Sequence, residues 1–188
     1  MFDFRLGPAG GWSVLRQGGV GASGSGQDIL LAAAESLSRF RPLVAAPARE
    51  VTPDVSPDGR WLMTYASDES GRYEVYLQPL PGPGPRLQVS IAGGSEPIWS
   101  PQGRTLFYRS SQRQIMAARL DGTPRRVVQW DTLFADRFLR SGGGISNWSV
   151  FPSGREFLLI GGGVSGDVKL IVNWPQLSAL GQGGRQPP

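Results

Sequence analysis

The chain has 188 residues, 39% of them hydrophobic, and a formal net charge of +4 from 19 basic and 15 acidic residues, enough length for one domain with a real core. It contains neither Cys nor His, which removes thiol nucleophiles, imidazole bases and the usual zinc, copper and haem ligands, and with them most familiar active sites. Its 27 Gly and 16 Pro follow no collagen period, so they imply a fold with very many turns.

The first twenty residues carry no basic start, apolar centre and small-residue cleavage site, and no segment reaches the length of an apolar membrane span. Eighteen of the basic residues are Arg, spread from Arg5 to Arg185 with acidic residues between them. That is the pattern of a solvated surface, without the basic stripe and interleaved aromatics of a nucleic-acid reader.

In chain order, "FDFRL" is a poor first strand, and "WSVLR", "QDILLAA" and "RPLVAA" are three better ones. The small-residue turn "PAGG" at Pro8 separates the first two. A second unit follows: "TPDVS", the turn "SPDGR", a strand from Trp61 to Tyr65, "YEVYLQPL" and "RLQVSI", with "PGPGP" as a loop. In "SPDGR", Pro57 presets φ, Asp58 can accept from nearby amides and Gly59 can take the left-handed conformation, which makes a hairpin turn. The third unit reads "EPIWS", "RTLFYRS", "QIMAARL" and "RRVVQW", with Asp121-Gly122 turning the last pair. The fourth reads "NWSVF", "EFLLI" and "DVKLIVNW", with no fourth strand.

The turn prolines Pro8, Pro57, Pro101 and Pro152 stand 49, 44 and 51 residues apart, the length of a four-stranded propeller blade. The expected fold is therefore all-β: a β-propeller segment of about four four-stranded antiparallel blades, part of a larger propeller. Expected boundaries are 1–46 for a degenerate first blade, 47–96 for the second, 97–146 for the third with a long connection, 147–177 for an incomplete last blade and 178–188 for a flexible tail. Trp61, Trp99, Phe107, Trp148 and Phe157 fall on inferred first or second strands, where stacked sheets need bulky packing.

The stretch "VSPDGRWLMTYASDESGRYEVYLQPLPGPG", then "GGSEPIWSPQGRTLFYRS", then "VFPSGREFLLI" and "LIVNW", resembles the PD40, or TolB-like, propeller repeats of bacterial proteins. The likeness is strongest to the C-terminal propellers of bacterial serine/threonine protein kinases and covers roughly residues 28 to 177 well. It implies a non-catalytic binding or sensing module with a protein partner or small ligand on one propeller rim. Its alternative is the accessory propeller of such a kinase or of a propeller-gated serine peptidase. If the chain belongs to such a larger protein, a periplasmic or extracytoplasmic location follows. With Lys169 as its single lysine and no His, the chain is not itself a kinase.

Other chemistries read poorly. "GVGASG" at Gly19 to Gly24 fits G-x-G-x-x-G, and "ILLAAAESLSRF" could be drawn as its helix. The repeat register instead puts this glycine run in the slot of "SDESGR" and "GGGVSGD", between a blade's second and third strands. The pairs Asp54 with Asp58 and Asp68 with Glu69 are carboxylates beside turns, which ordinarily cap them. No catalytic residue, metal or cofactor is assigned.

Loops joining second to third strands and those joining successive blades fall on one rim, the "SPDGR" turns on the other. The first rim collects Asp68, Glu69, Arg72, Glu96, Arg113 and a connection from Asp131 to Asn147 expected to lack strands. Strandless loops longer than roughly 12 to 15 residues are often functional, so Phe134, Phe138 and Arg140, read as exposed, complete the expected contact surface.

Overall fold

The computed structural model describes residues 3–7, 11–18, 27–33, 35–59, 61–82, 84–122, 126–140, 145–161 and 168–171, with the backbone alone at 3, 61–64 and 168–171. Every regular element among them is a strand: β1 (Asp3–Arg5), β2 (Trp12–Gly18), β3 (Gln27–Ala33), β4 (Arg41–Val44), β5 (Glu50–Asp54), β6 (Trp61–Ser67), β7 (Glu74–Pro79), β8 (Leu87–Gln88), β9 (Gly94–Trp99), β10 (Thr105–Ser110), β11 (Gln114–Asp121), β12 (Arg126–Ala135), β13 (Trp148–Val150), β14 (Phe157–Ile160) and β15 (Val168–Ile171). They form three antiparallel four-stranded sheets, β1 to β4, β5 to β8 and β9 to β12, and a three-stranded sheet, β13 to β15. Strand order follows chain order in each, as in up-and-down propeller blades.

The repeated turn does what its residues allow. Gly59, Gly103 and Gly154 have φ of 65°, 69° and 69°. Each donates its N–H to the carbonyl three residues back, Ser56, Ser100 and Phe151, at 2.9, 2.9 and 2.8 Å. Only Gly takes this left-handed geometry without a Cβ penalty.

Three apolar clusters lie between successive sheets. Val14, Ile29 and Leu31 meet Val55, Tyr65 and Tyr76, with the two tyrosine rings stacked at 5.6 Å. Val75, Leu77 and Val89 meet Trp99, Leu106 and Tyr108. Phe107, Ile115 and Leu133 meet Trp148, Phe157 and Leu159, with Phe157 edge-on to Phe107 at 5.0 Å. Trp99, Phe107, Trp148 and Phe157 are thus packing residues, as expected; the Trp61 side chain lies outside the described residues.

Two expectations need correction. β12 runs on through Asp131 to Ala135, so the first part of the expected strandless connection is strand. Two bulges keep β12 paired with β11 to its end, where Ile115 faces Phe134 and Gln114 faces Ala135. β8 is only two residues long, because Val89 and Ser90 leave the ladder: both amides turn to the Val75 carbonyl and Ser90 Oγ takes the Val75 N–H at 2.8 Å. The segment after the glycine run is the strand β3, as expected, paired along its length with β2. The glycine run itself and the expected tail lie outside the described residues.

Candidate functional site

The innermost strands of all four sheets converge on one axial cavity of ≈ 250 Å³. Arg5 of β1, Thr52 to Asp54 of β5, Pro97 and Ile98 of β9, and Trp148 and Ser149 of β13 line it, with Ser146 beside them. Two backbone positions at this wall are strained: Thr52 has φ of 51° and Glu96 of 49°. Each stands five residues before a turn proline and directly before another proline, where a residue normally prefers extended backbone. A β-branched residue in the left-handed region is a real outlier, and such strain gathers at binding and catalytic sites. The Thr52 hydroxyl is buried without a hydrogen-bond partner. Asp54 accepts the Trp99 amide at 2.9 Å, which ties β5 to β9 at the same wall.

Beside the cavity, on the loop rim, sits a buried charge cluster. Arg109, fully buried on β10, lies 3.6 Å from Glu96 Oε1 and 3.8 Å from Asp136 Oδ2, and donates to the Leu139 carbonyl at 2.9 Å. Its guanidinium stands 5.7 Å from the centre of the Trp148 ring, whose Nε1–H donates to the Glu96 carbonyl at 3.0 Å. Arg140 closes the cluster by donating to Asp136 at 2.8 Å and to the Ser110 carbonyl at 2.7 Å. Burial pushes the Glu96 carboxyl up, against the pull of Arg109, and lowers the Arg109 guanidinium, against the pull of Glu96 and Asp136. Two cations and two anions balance, so the cluster fastens the connection after β12 onto β9 and β10.

The expected contact residues therefore separate. Glu96 and Arg140 come together, but Glu96 is buried in β9 and Arg140 is half-buried in this cluster. Phe134 and Phe138, expected to be exposed, are half-buried against the cluster of Phe107 and Phe157; pairing with Ile115 of β11 turns Phe134 inward, where it meets the Phe157 ring at 5.8 Å, and Phe138 follows from the connection after β12. Asp68, Glu69 and Arg72 occupy the β6–β7 loop. There Asp68 accepts the Arg49 amide at 2.8 Å, Glu69 pairs with Arg86, and Arg72 reaches the buried Glu74 at 2.7 Å. Arg113 is exposed in the β10–β11 turn, with φ of 58°, and its carbonyl accepts the Asp136 amide at 2.8 Å.

Sequence reasoning missed Arg109, Asp136 and the strained Thr52. Arg109 had a signal: it interrupts an apolar strand eight residues after Pro101, and Arg16 does the same eight residues after Pro8. The weighed carboxylate pairs are occupied structurally, Asp58 by the Ser56 hydroxyl and the other three as above. Among the described residues no group of three or more acidic side chains is placed to hold a metal ion, and no helix is long and apolar enough to cross a membrane.

No protein-family model matches the chain, and no curated protein matches it. Solved structures do, at low identity. TolB of Agrobacterium tumefaciens aligns over 92% of this chain and 61% of its own, at 19% identity and a TM-score of 0.59. TolB of Acinetobacter baumannii aligns over 86% and 41%, at 14% and 0.56. A protein of unknown function from Desulfotomaculum acetoxidans aligns over 91% and 55%, at 14% and 0.57. The chain thus spans less than two thirds of the length of each, and what it shares with them is the fold: four sheets arranged as TolB-like propeller blades.

Proposed function

We propose that the chain is a non-catalytic binding module that engages a protein or a small polar ligand at its loop rim and the axial cavity beside it. The observation that carries the reading is the wall of that cavity, where a strained threonine with an unpartnered hydroxyl faces a space built from all four inner strands. Strain at one point persists because the surrounding structure enforces it, and a binding wall is a common reason. The cavity suits a single side chain or a small polar molecule better than a drug-sized ligand. An accessory role beside a kinase or peptidase, in an extracytoplasmic setting, rests on the sequence resemblance. Completion of the ring by further blades rests on the same resemblance. The blade boundaries 1–46, 47–96, 97–146 and 147–177 belong to the same reading.

Partner capture by the immobilised chain, with the captured species identified by mass spectrometry, tests the proposal. Ser149→Trp fills the cavity, Arg113→Glu reverses an exposed charge on the loop rim and Gln102→Lys alters the opposite rim. The first two are expected to lose the captured species with melting temperatures within about 2 °C of wild type, and the third to keep it. Equal capture by all three variants, or loss confined to Gln102→Lys, overturns the reading.

A further inference from the structure

Arg16 and Arg109 occupy the same slot of the first and third sheets, each eight residues after its turn proline and each fully buried. Both face the next sheet: Arg16 shares its side of β2 with Val14, and Arg109 its side of β10 with Phe107. In both, Nε and Nη2 lack an acceptor within hydrogen-bond geometry. Their surroundings differ. Arg109 has two carboxylates within 4 Å. Arg16 has none among the described residues, and its one partner is neutral, Gln27 Oε1 at 2.9 Å from Nη1.

A guanidinium cannot shed its proton to relieve burial, so an uncompensated one demands an anion. The unpartnered atoms also define which anion. Nε–H and Nη2–H point along one edge of the guanidinium plane, the parallel fork that fits both oxygens of a carboxylate. Arg16 lies two residues from Gly18, the end of β2 at the loop rim, where Gln27 also bridges to Arg49. We propose that this edge of Arg16 is a carboxylate-binding site, taking from outside the charge that Glu96 and Asp136 supply to Arg109. It lies between the first two sheets, apart from the axial cavity, and does not depend on the function proposed for that cavity.

Thermal unfolding at constant ionic strength, set with sodium chloride, tests the site. Acetate probes a free small carboxylate and acetyl-diglycine a chain terminus; acetamide and acetyl-diglycinamide are their neutral matches. A saturable rise of about 3–6 °C at ten times the Kd is expected from one or both carboxylates and from neither neutral match. A response to acetyl-diglycine alone assigns the site to a chain terminus, and one to acetate assigns it to small ligands. Arg16→Gln and Arg16→Met should abolish the rise, and Arg72→Gln should retain it. Absence of any carboxylate-specific rise in the wild-type chain overturns the proposal, whatever the variants do. So does persistence of the rise in either Arg16 variant that folds. Asp3 lies opposite Arg16 in the strand register. If the wild-type chain shows no carboxylate response while Asp3→Asn lowers the melting temperature as far as Arg16→Gln does and creates such a response, Asp3 is the counter-ion and the wild-type chain has no external site.

Discussion

The two rims of this molecule are built on opposite plans. On the turn rim the same short device recurs: a proline, a polar or small residue and a left-handed glycine bonded three residues back, at Gly59, Gly103 and Gly154. On the loop rim a buried arginine recurs at Arg16 and Arg109, but the side chains that close each junction differ. One junction uses Glu74, which accepts the Gly93 amide and pairs with Arg72; the next uses Arg109 between Glu96 and Asp136. Repetition marks the parts whose job is the same in every blade, which is to reverse the chain. Divergence marks the parts free to differ. The contrast predicts that the turn rim tolerates loss of any one copy, whereas the loop rim depends on single, unduplicated side chains.

The largest effect should come from breaking the Arg109 cluster. Arg109→Ala leaves Glu96 and Asp136 buried without their shared cation, a change that costs about 3–5 kcal/mol where one partner of a buried pair is removed. Chemical denaturation measures it. Arg109→Met, which fills similar volume, should leave Glu96 uncompensated and Asp136 held by Arg140 alone, and recover little. A loss under about 1 kcal/mol would mean that the cluster is solvated and that the loop rim is not held by charge.

How far these features could be read beforehand follows from their range. The strands of the first sheet were legible despite its eroded turn, because "WSVLR" and "QDILLAA" carry enough apolar residues on one face to declare a half-buried strand. The end of β12 was not, since Asp131 interrupts an alternation that the bulges then resume. The Arg109 cluster was out of reach in another sense. Its members come from β9, β10 and the connection after β12, and nothing local distinguishes Asp136 from any exposed aspartate. Arg109 was findable, because the repeat register aligned it with Arg16 and a charge inside two equivalent apolar strands has one plain meaning: burial with a partner. Thr52 was hidden, since nothing in "TPD" announces a left-handed threonine.

The next effect is a pH dependence from the first junction on the loop rim. Glu50 is fully buried, and burial first, then the negative field of Asp28, pushes its carboxyl from the ordinary 4.5 to about 7. Below pH 4.5 the carboxyl is protonated in folded and unfolded chains alike. Between pH 4.5 and 7 the unfolded chain releases this proton and the folded chain keeps it, so the contribution of Glu50 to stability is lost as pH rises through that window. The decline is on the order of 2–3 kcal/mol, and Glu50→Gln should flatten it. Denaturation midpoints at pH 5 and pH 7.5 decide the matter. An equal slope in wild type and variant would assign the dependence to other groups.

The smallest effect belongs to the turn rim and sharpens the comparison from the other side. A Cβ on Gly103 would sit 3.6 Å from Pro57 Cδ, an ordinary contact, so the penalty of Gly103→Ala is conformational. It should cost about 1 kcal/mol, or about 2–4 °C in melting temperature. Gly103→Asn separates backbone from packing, because asparagine is larger than alanine yet tolerates the left-handed region. If φ of 69° is what this position demands, Asn should recover part of the loss that Ala incurs. Were Asn to be worse than Ala, space at Pro57 would be the limiting factor, and the recurrence of glycine on this rim would reflect close approach of neighbouring turns and not the reversal of the chain.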